Sequence, residues 1–131
     1  MSVGVLYNRS TSEILSERVE LVHTRFKPIA ALLPRRRPPD DGGLWFDDCD
    51  AFRRLGARAR ADLIFLDRDL CVVRLEHRVA PGRPILWCRE TDSVLAMSDG
   101  FFTRADVLVG DLLWFEESLS TLLYAVRSRT A

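Results

Sequence analysis

Lysine is almost missing from this chain, histidine is scarce, and apolar residues nowhere run long enough to span a bilayer. Lys27 stands alone against eighteen arginines, and His23 and His77 are the two histidines. The longest uninterrupted apolar runs are four or five residues, far short of the ~20 a membrane helix needs. Net charge is lacking too. Nineteen basic and nineteen acidic residues cancel to zero, whereas nucleic-acid binding draws much of its affinity from a net basic surface. Nucleic acid is therefore disfavoured as a partner. The arginine excess fits GC-rich coding and supports no function by itself. Cysteine is sparse: Cys49, Cys71 and Cys88 are odd in number, widely spaced and form no CxxC. A small secreted domain held by disulfides shows an even, denser set. The segment Met1 to Tyr7 lacks the charged stretch and long apolar run of a signal peptide. Together these absences predict a cytoplasmic protein with three free thiols and no membrane attachment.

What is present is ordinary globular material. An apolar fraction of 47% with 29% charged residues over 131 residues suits a single hydrophobic core. Val3–Tyr7 and the alternating segment around Val19-Glu20-Leu21 flank the turn-prone Asn8–Ser12, which predicts an N-terminal antiparallel hairpin. Thr24 can cap a short helix through Leu33, and Pro34 to Gly43 is a loop. Leu44–Phe46 reads as a short strand, followed by a helical turn over Ala51–Leu55 capped by Asp48 or Asp50. Ala61–Asp67 is the strongest strand, and Arg68-Asp69 turns it into Leu70–Val79. In that second arm Val73, Leu75, His77 and Val79 are expected on one face. Ile85–Cys88, Ser93–Met97 and Leu112–Phe115 are further strands. A short helix is expected over Phe101–Ala105, started by Ser98 or Asp99, and a longer one over Glu116–Arg129. Many short strands with turns between them imply a mainly β (α+β) domain, an antiparallel β-sandwich or open barrel with a few short helices and a C-terminal helix.

No motif supplies chemistry. A closed zinc site needs four N or S ligands at workable spacing, and two separated histidines with three scattered cysteines do not provide it. Ser93, Cys49 and Cys88 lack a nucleophile elbow. The pairs Asp47/Asp48, Asp67/Asp69 and Glu116/Glu117 fall in turns or at a helix start, where carboxylates cap or solvate. No catalytic residue, metal site or cofactor is assigned, and an enzyme is disfavoured. The most unusual stretch is Arg53-Arg54-Leu55-Gly56-Ala57-Arg58-Ala59-Arg60-Ala61-Asp62, four arginines around a glycine before the strongest strand.

In this region the chain resembles a known family. Gly43-Leu44-Trp45-Phe46, Cys49, Gly56, Asp62–Asp69, Pro81-Gly82, Ser93-Val94-Leu95 and Val109-Gly110-Asp111 are similar in order and spacing to domain-of-unknown-function family 192. Leu6–Arg9, Thr24 and Leu32–Arg35 match its opening, so the resemblance covers residues 3 to 115. It implies a compact β-sandwich or barrel-like domain with short helices and no established activity. Two departures stand out. Ala31-Leu32-Leu33-Pro34-Arg35 replaces a Gly-Leu-Leu-Gly-Arg segment, and the large apolar positions before the strong strand are reduced to alanine while Gly56, Arg58 and Asp62 persist. Residues 3–115 are thus expected to form the β domain and 116–131 a helical extension.

Two function classes follow. The first is a binding or accessory domain that presents a protein-interaction surface, with Leu119, Leu122, Leu123 and Val126 as the apolar stripe of a partner helix. The second is a site for a small anionic ligand formed by Arg53, Arg58, Arg60 and Asp62. A monomer or weak homodimer is expected in either case.

Overall fold

The sequence folds around one seven-stranded sheet. A computed structural model describes residues 2–22, 38–55, 59–83 and 89–117. The strands are β1 (Ser2–Asn8), β2 (Glu13–Val22), β3 (Gly43–Phe46), β4 (Ala61–Leu66), β5 (Val72–Val79), β6 (Ser93–Ser98) and β7 (Leu113–Glu117). Two short helices, α1 (Cys49–Leu55) and α2 (Phe101–Arg104), decorate them. Strand order is β5-β4-β6-β3-β2-β1-β7.

Burial explains the two textures of strand in the sequence. Every residue of β4 is buried, and five of the six in β6. Strands covered on both faces read as continuous apolar runs instead of alternating ones. Ala61, Leu63, Phe65, Val94 and Ala96 join Phe46 and Phe52 in one core under α1, while Ile64, Leu66, Leu95 and Met97 join Leu6, Val19 and Leu113 in a second. The second core is the concave interior. Along β1 and β7, in contrast, Leu6 and Leu113 point inward and Tyr7 and Trp114 outward.

The sheet curls until its two edge strands meet. Cys71 and Leu112 form an isolated antiparallel bridge. Beside it Val72 N–H donates to the Asp111 carbonyl at 2.8 Å and Leu113 N–H to the Leu70 carbonyl at 2.9 Å. The result is a barrel closed at one corner, in line with the mainly β sandwich-or-barrel expectation.

Several local expectations need correction. The β2–β3 pair is parallel, so the sheet is not wholly antiparallel, because the connection after Val22 returns the chain to the same end. The expected single face of Val73, Leu75, His77 and Val79 is broken by extra residues in β5: Val73 opposite the Phe65/Leu66 step, and His77-Arg78 opposite Asp62. Val73 packs on the first core and Leu75 on the second, while His77 is exposed against the Phe102 ring at 4.5 Å. Glu116 and Glu117, expected to open the last helix, instead continue β7, paired with Val5 and Gly4 of β1. Cys49 is disulfide-bonded and Cys71 carries a free thiol, which overturns the expectation of three free cysteines and removes that argument for a reducing compartment. The expected helix Thr24–Leu33, the expected strand Ile85–Cys88 and the tail from residue 118 lie outside the described residues.

Candidate functional site: a buried carboxylate and an exposed aromatic row

The arginine-rich segment leads into Asp62, whose side chain is 1% exposed. Its Oδ1 accepts from the Arg78 backbone N–H at 2.7 Å, and its Oδ2 from the Phe102 N–H at 2.8 Å. Arg78 sits at φ 48 within the β5 bulge. The carboxylate therefore fastens an irregular strand and caps α2, whose own N-cap Gly100 supplies no side chain. Neither Ser98 nor Asp99 takes that role. At α1 the sequence signal was local: Asp48 Oδ1 accepts from the Asp50 N–H at 2.9 Å.

The other candidate ligand residues occupy separate elements. Arg53 lies on α1, exposed, with Asp50 at 3.8 Å; Arg60 is exposed just before β4; Arg58 lies outside the described residues. Cations beyond the cluster also have acidic partners. Arg78 Nε is 3.5 Å from Asp99 and Arg104 Nη1 is 3.1 Å from Asp41. Among the described residues no group of three or more His, Cys, Asp or Glu is placed to hold a metal ion, and no helix is long and apolar enough to cross a membrane.

A different cluster emerges on the outer face of β2, β1 and β7. Tyr7 pairs with Ile14 on one side and Trp114 on the other, so the three side chains form a row across three strands. Ile14 is 55% exposed and Trp114 46% exposed, with Leu112 two residues along the same strand edge at 42%. The Arg9 guanidinium stacks 5.7 Å over the Trp114 ring, and Glu116 Oε2 lies 3.5 Å from the Tyr7 hydroxyl. Tyr7, Asn8, Arg9, Ser12, Trp114 and Glu116 line an open groove of about 580 Å³. An apolar centre of Trp, Tyr and Ile with a charged rim is the composition of a protein-binding surface. Local patterning does not reveal this row, because its members come from positions 7, 14 and 114. The one signal was Trp114 itself, a bulky aromatic in a strand whose neighbours Leu113 and Phe115 fill the interior.

Comparisons with known proteins agree with this architecture. The model of family DUF192, "Uncharacterized ACR", matches residues 6–115. A crystal structure of a candidate transcription regulator from Sinorhizobium meliloti 1021 is 21% identical, covers 88% of this chain and 96% of its own, and superposes with a TM-score of 0.63. A protein of unknown function from Novosphingobium aromaticivorans DSM 12444 is also 21% identical, with coverage of 84% and 81% and a TM-score of 0.60. At this identity the likeness concerns the fold alone. No curated protein is significantly similar to the chain.

Proposed function

Since the chain belongs to domain-of-unknown-function family 192, an uncharacterized family, we propose a function from its own surface: a non-enzymatic binding domain that receives an amphipathic helix of a partner protein on the outer face of β2, β1 and β7. The observation that carries this reading is the exposed Ile14–Tyr7–Trp114 row. Three adjacent strands are about 10 Å wide, close to the ~10–12 Å diameter of a helix with its side chains. A helix aligned with the strands fits between Ile14 and Trp114 and rests on Tyr7 and the half-buried Val5. Trp, Tyr and Arg are the residues that dominate interface energetics, and Arg9 and Glu116 supply a rim of both signs.

Titrating synthetic helical peptides and following the Trp114 indole resonance tests the proposal. Peptides with an aliphatic stripe at i, i+3, i+4 and i+7 should shift that resonance, and Trp114→Ala should weaken their binding by about tenfold or more, equivalent to ~1.4 kcal/mol. Equal binding of stripe-bearing and stripe-scrambled peptides, or no binding of either, would sink it.

A further inference from the structure

We infer that the helix received on this face is bipolar: it carries a basic side chain where it passes Glu116 and an acidic one where it passes Arg9, at the two ends of its apolar stripe. This inference rests on the proposed binding face and names the charge pattern of the partner that the face selects.

The strand register sets the two charges at opposite ends of the apolar row. Side chains alternate between the faces of a strand, so Val5, Tyr7 and Arg9 share the outer face with Trp114 and Glu116. Glu116 pairs with Val5, and Trp114 pairs with Tyr7. Arg9 continues this ladder past the end of β1, its backbone N–H donating to the Leu112 carbonyl at 2.7 Å. Arg9 is therefore four residues, about 13 Å, beyond Val5, and one strand spacing of about 4.8 Å to the side of Glu116. On a helix, the residue before a stripe at i, i+3, i+4 and i+7 and the residue after it are nine positions apart. They lie about 13.5 Å from each other along the axis, on opposite flanks of the stripe. The spacing of the two charges on the domain and of the two flanking positions on the helix is the same.

Neither charge is neutralised within the domain. Arg53, Arg78 and Arg104 each face an aspartate, at 3.8, 3.5 and 3.1 Å. Arg9 and Glu116 have no ion-pair partner among the described residues and rest on aromatic rings instead, the guanidinium over Trp114 and the carboxylate beside the Tyr7 hydroxyl. Both remain exposed. The cationic end is also anchored. Asn8 is buried, donating from Nδ2 to Asp111 Oδ2 at 2.9 Å and accepting from the Ser10 N–H on Oδ1 at 3.0 Å. The backbone on both sides of Arg9 is thus fixed before a partner arrives, which lowers the ordering cost of binding.

Exposed ion pairs contribute little affinity. What such charges supply is selection, by favouring one register and direction and opposing like charge. The apolar row holds the helix, and Arg9 and Glu116 decide which helix and which way it points.

Four synthetic peptides with the same aliphatic stripe, added to the full-length protein, test this. They differ only in the residues flanking the stripe: Lys then Glu, Glu then Lys, two Lys or two Glu. The two bipolar peptides should bind about fivefold more tightly than the other two at low salt, and the gap should close at about 1 M salt. A nitroxide on the peptide N-terminus should broaden the Val5 amide when Lys comes first and the Arg9 amide when Glu comes first. In Arg9→Glu, with far-ultraviolet circular dichroism and thermal melt unchanged, the peptide with two Lys should become the tightest binder. Equal affinity of all four peptides, each weakened by Trp114→Ala, would overturn the charge pattern and leave the binding face standing. Broadening at the same end whatever the charge order would overturn it too. If none of the four binds, the face itself fails and the pattern with it.

Discussion

The two halves of this sheet are built from similar strands and finished differently. In the half made of β3, β6 and β4, both faces are buried, and α1 lays Phe52 against Phe46 with ring centroids 5.0 Å apart. In the half made of β2, β1 and β7, the concave face is filled, while the outer face leaves Ile14 and Trp114 exposed beside a half-buried Tyr7. The first half is finished by local sequence, since α1 follows β3 within three residues. The second keeps exposed apolar side chains on its outer face. Scattered exposed apolar side chains are normal; the contiguity of this row and its charged rim are what support the proposed binding face.

Substitutions in the two halves should therefore differ in kind. Phe52→Ala removes a fully buried ring from the covered half and should cost about 4 kcal/mol in urea unfolding, within the range for core aromatic truncation. A loss below ~1 kcal/mol would show that α1 is not a working cover. Asp62→Ala leaves two part-buried backbone N–H groups without their carboxylate acceptor and should cost about 2 kcal/mol. If stability were unchanged, the strut between the β5 bulge and α2 would be an illusion, and a ligand role for Asp62 would gain ground.

Smaller effects sharpen the contrast. A Cβ at Gly4 would lie 2.2 Å from the Glu116 carbonyl oxygen and 2.7 Å from the Phe115 ring, so Gly4→Ala should cost about 2 kcal/mol by forcing β1 and β7 apart. At Gly43 the added carbon meets the Met97 side chain, which can move, and Gly43→Ala should cost less. With Cys49 bonded and Cys71 free, thiol titration of the denatured chain should find one group before reduction and three after. Three groups before reduction would contradict the bonded state. Trp114→Ala should change stability least, by no more than about 1 kcal/mol, while weakening helix binding. A large loss of stability with binding intact would reverse the assignment.

The parts legible in sequence were those whose causes are local. β4 was readable because six apolar-rich positions follow one another between turn signals, and its hairpin with β5 because Arg68-Asp69 turns tightly, with Asp67 Oδ1 accepting from the Asp69 and Cys71 N–H groups. What escaped depends on partners distant in the chain. Asp62 sits in the arginine-rich stretch and reads as a ligand residue until the Phe102 amide, forty positions away, occupies its Oδ2. The β5 bulges cannot be read from alternation, because they compensate for a register with β4 that only the folded sheet defines. The parallel β2–β3 pair depends on a long connection with no strand signal of its own. Likewise Ile14, Tyr7 and Trp114 become neighbours only once two registers are fixed.

The most direct measurement sets the two candidate surfaces against each other in one titration. A helical peptide with an aliphatic stripe is added to the wild-type protein, to Trp114→Ala and to Arg60→Ala, with affinity read by calorimetry. The expected result is a loss of about tenfold or more at Trp114 and none at Arg60. Binding that survives at Trp114 and fails at Arg60 would contradict the placement of function on the aromatic row.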